Sequence, residues 1–329
     1  MTGLAPPAPA RQTGGMRNPA LIYRRFGPPG DALRLEPLDL PPQPDGRIRV
    51  AMLLAPVNPS DLIPVTGAYA HRITLPQIAG YEGVGRVIAA PPEHEYLRGR
   101  RVLPLRSGGT WRRVLDCAPD WAVPVPDDIP DEDAARAYIN PMAAAHLLAR
   151  WPVSGRRVLL SGAGAHCASL LARGALRQGA VSVQGIYRSP SRRAALLAQG
   201  VEPLAMDDLP AIREAARQAD VTFDALGGPV ATAILEAMRP GSDFVGYGLL
   251  TGLPVGPKSP PRAGYHRFHL RESQAALTPR DWQKAFAAIW DDLRESPPPE
   301  GRRFALSDWR AALHSAGEPG APKPLLDLT

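Results

Sequence analysis

Short apolar segments alternate with helical segments between residues 156 and 248, and this alternation constrains the fold more than any other feature. Arg157 to Ser161 has the pattern of a buried strand, and the glycine-rich turn Gly162-Ala163-Gly164 follows it. Consecutive parallel strands need a long crossover, usually a helix that packs on the sheet. The pattern therefore predicts a doubly wound parallel sheet. The other predicted strands cover 181–186, 220–224 and 243–248, and the predicted helices cover 168–177 and 192–199.

The chain before this region has a different pattern. From residue 20 to 125, apolar runs such as Arg47 to Leu53 and Gly85 to Ala89 are separated by Pro and Gly, which predicts a β-rich domain. The acidic segment 131–133 then predicts a helix that runs to about Leu148, because carboxylates favour the positive end of a helix.

The segment after residue 270 is too short to form another domain. It predicts an amphipathic helix over 279–294, a proline break, a short helix over 308–314 and an apolar end at 325–328. This segment must pack on the β-rich region or on the α/β domain. A chain of 329 residues therefore has room for two domains.

Composition excludes several classes of protein. The two cysteines, Cys117 and Cys167, cannot build a disulfide scaffold or a multi-cysteine zinc site, so we expect a reduced, cytoplasmic protein. The sequence has no run of about 20 apolar residues, so no membrane span is predicted. Residues 1–15 are expected to be a flexible tail rather than a signal peptide. The net charge of +6 permits nucleic-acid binding, but no aromatic-rich RNA-binding motif accompanies it, and no nucleic-acid partner is expected.

The turn Gly162-Ala163-Gly164 lies between a strand and a helix, where a dinucleotide site needs glycines and a free helix N-terminus. The third glycine of the usual motif is missing, so a plain glycine turn stays an alternative. The next strand ends at Tyr187-Arg188-Ser189, with Arg192 and Arg193 just beyond and no carboxylate. Cationic residues there suit the 2′-phosphate of NADP. The alternative is that these arginines are solvated helix residues.

Several local motifs together resemble one superfamily, the medium-chain dehydrogenases/reductases. The resemblance extends from Ala20 to Leu328. It implies a GroES-like β-rich catalytic domain plus a doubly wound parallel-sheet Rossmann domain, an α/β fold. The implied limits are 1–136 for the catalytic domain, 137–270 for the NADPH-binding domain and 271–329 for a return segment that completes the first. The motifs are Asn58-Pro59-Ser60-Asp61, Gly67-Ala68-Tyr69, Gly80-Tyr81-Glu82-Gly83-Val84-Gly85, Gly109-Thr110-Trp111-Arg112, Ile139-Asn140-Pro141 and Asp224-Ala225-Leu226-Gly227-Gly228.

The resemblance also bears on metal binding. Zinc members of the superfamily have a Cys where Pro59-Ser60 lies and a His where Tyr81 lies, and this chain has neither. No catalytic metal is therefore expected, and the zinc-free branches reduce activated C=C bonds. The chain is most similar to the trans-2-enoyl thioester reductases, with the NADPH:quinone oxidoreductases as the alternative branch. Glu82 matches an acid of the family, and a structural hydrogen-bond acceptor is the other interpretation of this residue.

The resemblance implies roles for particular residues. Tyr69 corresponds to the catalytic tyrosine, and Asn58, Tyr69 and His269 would line the substrate pocket. His166-Cys167-Ala168 replaces the family's Gly-Val-Gly, and His269 replaces a pocket tryptophan. The implied cofactor-binding residues are Asn140, Gly162, Gly164, Ala165, His166, Cys167, Tyr187, Arg188, Ser189, Tyr247, Gly248, Leu249, Leu250, Phe268, His269, Leu270 and Lys323.

The implied activity is NADPH-dependent reduction of an α,β-unsaturated carbonyl on a small-molecule or carrier-bound acyl substrate, with Tyr69 as hydrogen-bond donor or acid. His71 is a second candidate acid, and arginines 72, 106, 112 and 113 are candidates for steering an anionic carrier. A homodimer is expected through the last strand of the cofactor domain, near 265–270. A non-catalytic NADPH-binding protein is a further alternative.

Overall fold

The computed structural model describes residues 17–68 and 70–329, so the predicted tail over 1–15 and Tyr69 lie outside the described residues. The strands are β1 (Arg17–Tyr23), β2 (Leu33–Asp39), β3 (Ile48–Pro56), β4 (Gln77–Ile78), β5 (Val84–Ala89), β6 (Arg101–Pro104), β7 (Val114–Cys117), β8 (Ala122–Pro124), β9 (Arg157–Leu160), β10 (Ser182–Tyr187), β11 (Glu202–Ala205), β12 (Val221–Asp224), β13 (Asp243–Gly246), β14 (Gly264–Arg267), β15 (Arg302–Ala305) and β16 (Pro324–Asp327). The α-helices are α1 (Pro29–Ala32), α2 (Pro59–Leu62), α3 (Asp131–Ala134), α4 (Ile139–Arg150), α5 (His166–Arg177), α6 (Arg193–Ala198), α7 (Leu209–Gln218), α8 (Gly228–Ala237), α9 (Leu270–Ser273), α10 (Pro279–Glu295) and α11 (Trp309–Gly317).

The second half of the chain forms a parallel sheet with the strand order β11-β10-β9-β12-β13-β14. All four residues of β12 are buried, as expected for a central strand covered by helices on both faces. Numbered along the chain, the order is 3-2-1-4-5-6, which is that of a dinucleotide-binding fold. The predicted doubly wound sheet is confirmed. Strand β11 and helices α7 and α8 were not predicted from the sequence, and β14 was expected near 265–270 only from the family resemblance.

A second large sheet has the order β15-β16-β3-β5-β6-β8, with β7 also paired to β3. Strand β3 alternates buried and half-buried residues over most of its length, which gives it one face toward the core. The apolar C-terminal run forms β16 and pairs antiparallel with β3, so that Leu326 lies opposite Ala55. Of the two predicted docking places, the return segment therefore adds to the β-rich sheet. Its long helix α10 buries Trp282 and Phe286 against this sheet.

The helix predicted from Asp131 to about Leu148 is wrong as a single element. The chain forms α3 over four residues, and a new helix, α4, starts at Ile139. Proline lacks an N–H, so Pro141 fits the first turn of a helix but would break the interior of a continuous one. The interruption places Asn140 in the first turn of α4.

No helix in the described part of the chain is long and apolar enough to cross a membrane.

Candidate active site

The crevice of the parallel sheet lies where the strand order reverses, between β9 and β12. Ligands of open α/β sheets bind there, beyond the carboxyl ends of the strands. The turn after β9 contains Gly162 and Gly164 and leads into α5. The turn after β12 is held by the buried Asp224 carboxylate, which accepts hydrogen bonds from the backbone N–H of Leu226 and Gly227. The hydroxyl of Ser161, at the end of β9, donates to the same carboxylate and ties the two turns together.

The N-terminus of α5 has free backbone N–H groups that can bind an anion. Its N-cap, Ala165, provides no side-chain hydrogen bond, so the first N–H groups of the helix have no intrahelical partner and carry positive dipole. Phosphate groups bind at such ends.

His166 begins this helix and is half-buried. Burial lowers the pKa of its imidazole to about 3, and the nearby cations Arg136, Lys323 and Arg173 lower it further. The ring is therefore neutral at physiological pH, with one N–H that can donate to an anion and one nitrogen that can accept. At this position, where the resemblance implied a glycine, the neutral ring adds no charge.

We expect His166 to make folding less favourable in acid. An unfolded histidine takes up a proton near pH 6.5, whereas folded His166 does so only near pH 3. Between these values the unfolded chain binds the extra proton, so stability falls as the pH decreases from about 6.5. Urea unfolding of the cofactor-free protein and of His166→Gln at pH 7 and pH 5 measures this contribution. The wild type should lose up to about 2 kcal/mol more than the variant, and equal losses would contradict the expectation.

Glu82 joins the β-rich domain to α4. This side chain is 1% exposed. Its Oε1 accepts a hydrogen bond from Asn58 Nδ2 at 2.6 Å. Its Oε2 accepts from the backbone N–H of Tyr138 at 3.1 Å and of Ile139 at 2.7 Å. A carboxylate at this end of a helix is favoured by the dipole, so Glu82 caps the helix that carries Asn140. Of the two interpretations of Glu82, the structure supports the hydrogen-bond acceptor.

The turn that presents Glu82 requires glycine at position 80. Gly80 has a φ of +90°, and a Cβ there would lie 2.4 Å from Cδ1 of the buried Trp111. The Thr110 hydroxyl, also against this glycine, donates to the Glu82 backbone oxygen at 2.8 Å. Close packing of the turn therefore fixes where the carboxylate points.

Asp61 and Lys323 lie beside Glu82. The Asp61 carboxylate accepts from the backbone N–H of Asn58 at 2.8 Å and of Tyr81 at 2.9 Å. Burial raises the pKa of Asp61 to about 7. Lys323 interacts electrostatically with both carboxylates, and burial lowers the pKa of its ammonium. Within residues 17–68 and 70–329, no hydrogen bond or ion pair engages the ammonium, which leaves Lys323 able to bind an anionic ligand.

Cys167 connects three elements at the crevice. Its Sγ lies 3.9 Å from the backbone oxygen of Asn140 on α4. The buried Tyr247 hydroxyl, from the segment after β13, lies near this thiol. Burial raises the pKa of Cys167 to about 12, so the thiol is protonated at neutral pH and unsuited to nucleophilic attack. Cys167 therefore acts here as a packing residue that positions Asn140 and Tyr247.

The remaining predicted cofactor residues differ in their placement. Leu250 is 45% exposed beside Gly162, and Leu249 packs on Gly227. The Phe268 side chain is buried in the core of the parallel-sheet domain, which leaves little of it for a ligand. His269 is the N-cap of α9, where its backbone oxygen accepts from Glu272 N and Ser273 N at 3.1 Å each.

The turn after β10 also has a specific arrangement. Arg188 is exposed, and the hydroxyls of Ser189 and Ser191 are hydrogen-bonded at 2.8 Å. Arg192, which the sequence left open as a solvated residue, packs its side chain against Gly164. The structure thus brings this arginine to the glycine turn, a contact that nothing in the local sequence indicates.

The arginines expected to steer a carrier are partly engaged by the protein. Arg106 has a φ of 54°, stacks 3.8 Å above the Trp121 ring and donates to the Gln274 backbone oxygen at 2.8 Å. Arg113 donates to the Thr329 oxygen at 2.8 Å. Arg72 forms an exposed ion pair with Glu272 at 3.2 Å, which bridges the segment after Tyr69 to α9.

Comparison with known proteins shows the superfamily to which this chain belongs. Residues 44–127 match the alcohol dehydrogenase GroES-like domain family. The mouse mitochondrial enoyl-[acyl-carrier-protein] reductase is 31% identical over 249 residues, which cover 72% of this chain and 67% of the mouse protein. The chain belongs to the medium-chain dehydrogenase/reductase superfamily. The predicted GroES-like and Rossmann folds of a medium-chain dehydrogenase/reductase are thereby confirmed.

Solved structures of medium-chain dehydrogenases/reductases superimpose over nearly the whole chain. A Bacillus thuringiensis protein assigned as an NADPH:quinone reductase is 30% identical, with a TM-score of 0.85 and coverage of 95% of this chain and 99% of that one. The Etr1p/NADP/crotonyl-CoA complex is 17% identical, with a TM-score of 0.79 and coverage of 95% and 100%. At that identity the match establishes the shared fold.

Tyr81, at which the resemblance implied the loss of a zinc-ligand histidine, is 46% exposed. No group of three or more His, Cys, Asp or Glu side chains is arranged to hold a metal ion in the part of the chain that the structure describes.

Proposed function

We propose that the protein is an NADPH-dependent reductase that delivers hydride to the β-carbon of an α,β-unsaturated carbonyl, namely an enoyl thioester. The observation that carries this proposal is the 249-residue match to a curated enoyl-[acyl-carrier-protein] reductase. We also propose that the acyl group is carried by CoA or by a carrier protein. We propose further that the reaction does not use zinc.

The residues at the crevice fit NADP(H). The open N-terminus of α5 and the neutral His166 ring would hold the pyrophosphate, together with the Lys323 ammonium. Asn140 and Tyr247, which meet at Cys167, would flank the nicotinamide. The absence of any carboxylate from 187 to 193 favours the 2′-phosphate of NADP(H) over the free ribose of NAD(H).

When bound, NADPH supplies the hydride. The protein must then stabilise the negative charge that develops on the substrate carbonyl oxygen, because electrostatic stabilisation is usually the largest catalytic effect. We assign this donor role, or delivery of the proton to the α-carbon, to Tyr69. A phenol with an ordinary pKa of about 10 is protonated at neutral pH and can act as an acid. Asn58 would line the pocket indirectly, since its amide nitrogen donates to Glu82.

Oxidation of NADPH with crotonyl-CoA tests the proposal. We expect turnover with crotonyl-CoA and a clear preference for NADPH over NADH, with a reaction lacking substrate as the control. Tight NADPH binding without turnover of crotonyl-CoA, and without turnover of a quinone, would instead indicate a non-catalytic NADPH-binding protein. Failure to bind NADPH would overturn the assignment.

An NADPH:quinone or small-enone reductase is the second candidate. It is favoured by the 0.85 TM-score and 30% identity to the Bacillus thuringiensis protein. Turnover of a benzoquinone at a much higher kcat/KM than crotonyl-CoA would support it over the thioester reductase.

We also propose a homodimer that forms through β14. This strand is paired only with β13 in the described part of the chain and so forms one edge of the parallel sheet. Pairing of two such edges would continue one sheet across two chains and would cover an unpaired strand. Light scattering at micromolar concentration should give twice the chain mass, and a monomeric mass would contradict the proposal.

A further inference from the structure

The aliphatic part of the Arg192 side chain lies directly over the glycine turn of the dinucleotide site. A Cβ placed on Gly164 would stand 3.1 Å from Arg192 Cγ, 3.4 Å from Cδ and 3.5 Å from Nε. A side chain at position 164 would therefore require this arginine to shift by a few tenths of an ångström. The contact holds the start of the guanidinium group beside the turn that leads into α5.

The guanidinium group of Arg192 is available to bind a ligand. Arg192 is half-buried, and no hydrogen bond or ion pair engages it within the described residues. By contrast, other arginines packed on apolar or backbone groups, such as Arg106 and Arg136, donate to protein carbonyls. A partly buried cation that lacks an anionic partner among the described residues is suited to an anion from outside.

The turn around Arg192 is held in place by its neighbours. The hydroxyls of Ser189 and Ser191 are 2.8 Å apart, and Gly320 of the return segment packs against Ser191. The return segment continues from there to Lys323. These contacts place the turn beside the return segment.

We propose that Arg192 is the residue that selects NADPH, by binding its 2′-phosphate. This inference rests on the proposed function, and it assigns the phosphate to one side chain among the cationic residues of the turn. The end of the second strand is where the ribose 2′ position lies in this fold. A guanidinium binds a phosphate through two parallel N–H donors. Arg188 and Arg193 are exposed, and nothing in the described structure places either of them against the glycine turn.

Binding measurements on variants test the proposal. Kd values for NADPH and NADH are measured by fluorescence quenching for the wild type, Arg192→Gln, Arg192→Lys and the matched control Arg193→Gln. We expect Arg192→Gln to weaken NADPH binding by about 10- to 100-fold, since a hydrogen bond to a charged group is broken, and to change NADH binding less than about 3-fold. Arg192→Lys should recover part of the loss, and Arg193→Gln should bind NADPH nearly as the wild type does.

Two nucleotide fragments of the cofactor, 2′-AMP and 5′-AMP, show which phosphate Arg192 contacts. Competition by 2′-AMP should weaken in Arg192→Gln, whereas competition by 5′-AMP should not. Equal losses for NADPH and NADH, or weaker binding of 5′-AMP alone, would place Arg192 on the pyrophosphate side and overturn the proposal. A loss in Arg188→Gln with none in Arg192→Gln would also overturn it. A wild type that binds neither nucleotide would instead contradict the proposed function, so the two failures are distinguishable.

Discussion

Replacing Tyr69 by Phe is expected to lower kcat for crotonyl-CoA by roughly 10²-fold or more. The substitution removes one hydroxyl and preserves the ring, so it deletes the hydrogen bond or proton that would stabilise the developing enolate. The effect should fall on kcat more than on KM, because the interaction strengthens only as charge develops on the substrate oxygen. Steady-state kinetics with saturating NADPH measures both.

Tyr96→Phe is the matched control for this experiment. Tyr96 is 71% exposed in the short turn Pro92–Leu97, and its hydroxyl should not affect kcat. If Tyr69→Phe leaves kcat nearly unchanged, Tyr69 has no part in proton transfer. His71, in the turn Ala70–Arg72, would then be the next candidate acid to replace.

Replacing Glu82 by Ala is expected to have the largest effect on stability. The change leaves three donors without their acceptor: Asn58 Nδ2 and the backbone N–H groups of Tyr138 and Ile139. It also removes a negative charge that faces Lys323 in a buried setting. Unpaired buried donors and charges are costly, so we expect a loss of about 3–5 kcal/mol. Thermal unfolding should show a decrease in Tm of roughly 10 °C.

Two further variants, Glu82→Gln and Glu93→Ala, show whether the lost stability comes from the buried hydrogen bonds of Glu82. Gln keeps the shape and one acceptor oxygen, so it should retain part of the stability, whereas Glu93→Ala changes an exposed side chain and should have little effect. Because Glu82 caps the helix of Asn140, NADPH affinity should decrease in Glu82→Gln even where the protein is folded. A Tm for Glu82→Ala equal to that of the wild type would show that the hydrogen bonds of Glu82 do not stabilise the domain junction.

Much of the fold could be predicted from local patterns. The strands at 157–161 and 220–224 are short apolar runs, and the helix after the glycine turn has a clear amphipathic period. These features depend on neighbouring residues, so the sequence by itself determined the doubly wound sheet and the position of the glycine turn at its crevice. The motifs from Asn58 to Gly228 likewise indicated the superfamily before any contact was known.

Only the tertiary structure decided how the candidate site is assembled. Glu82 caps a helix that starts 57 residues later, Lys323 approaches Asp61 and Glu82 from the other end of the chain, and Arg192 lies over Gly164. None of these contacts leaves a repeating pattern in the local sequence, because each depends on which sheets and turns pack together. The same reason explains the incorrect helix over 131–148. Local acidity and apolar spacing favoured one helix, whereas Pro141 and the distant Glu82 carboxylate set the start of a second helix at Ile139.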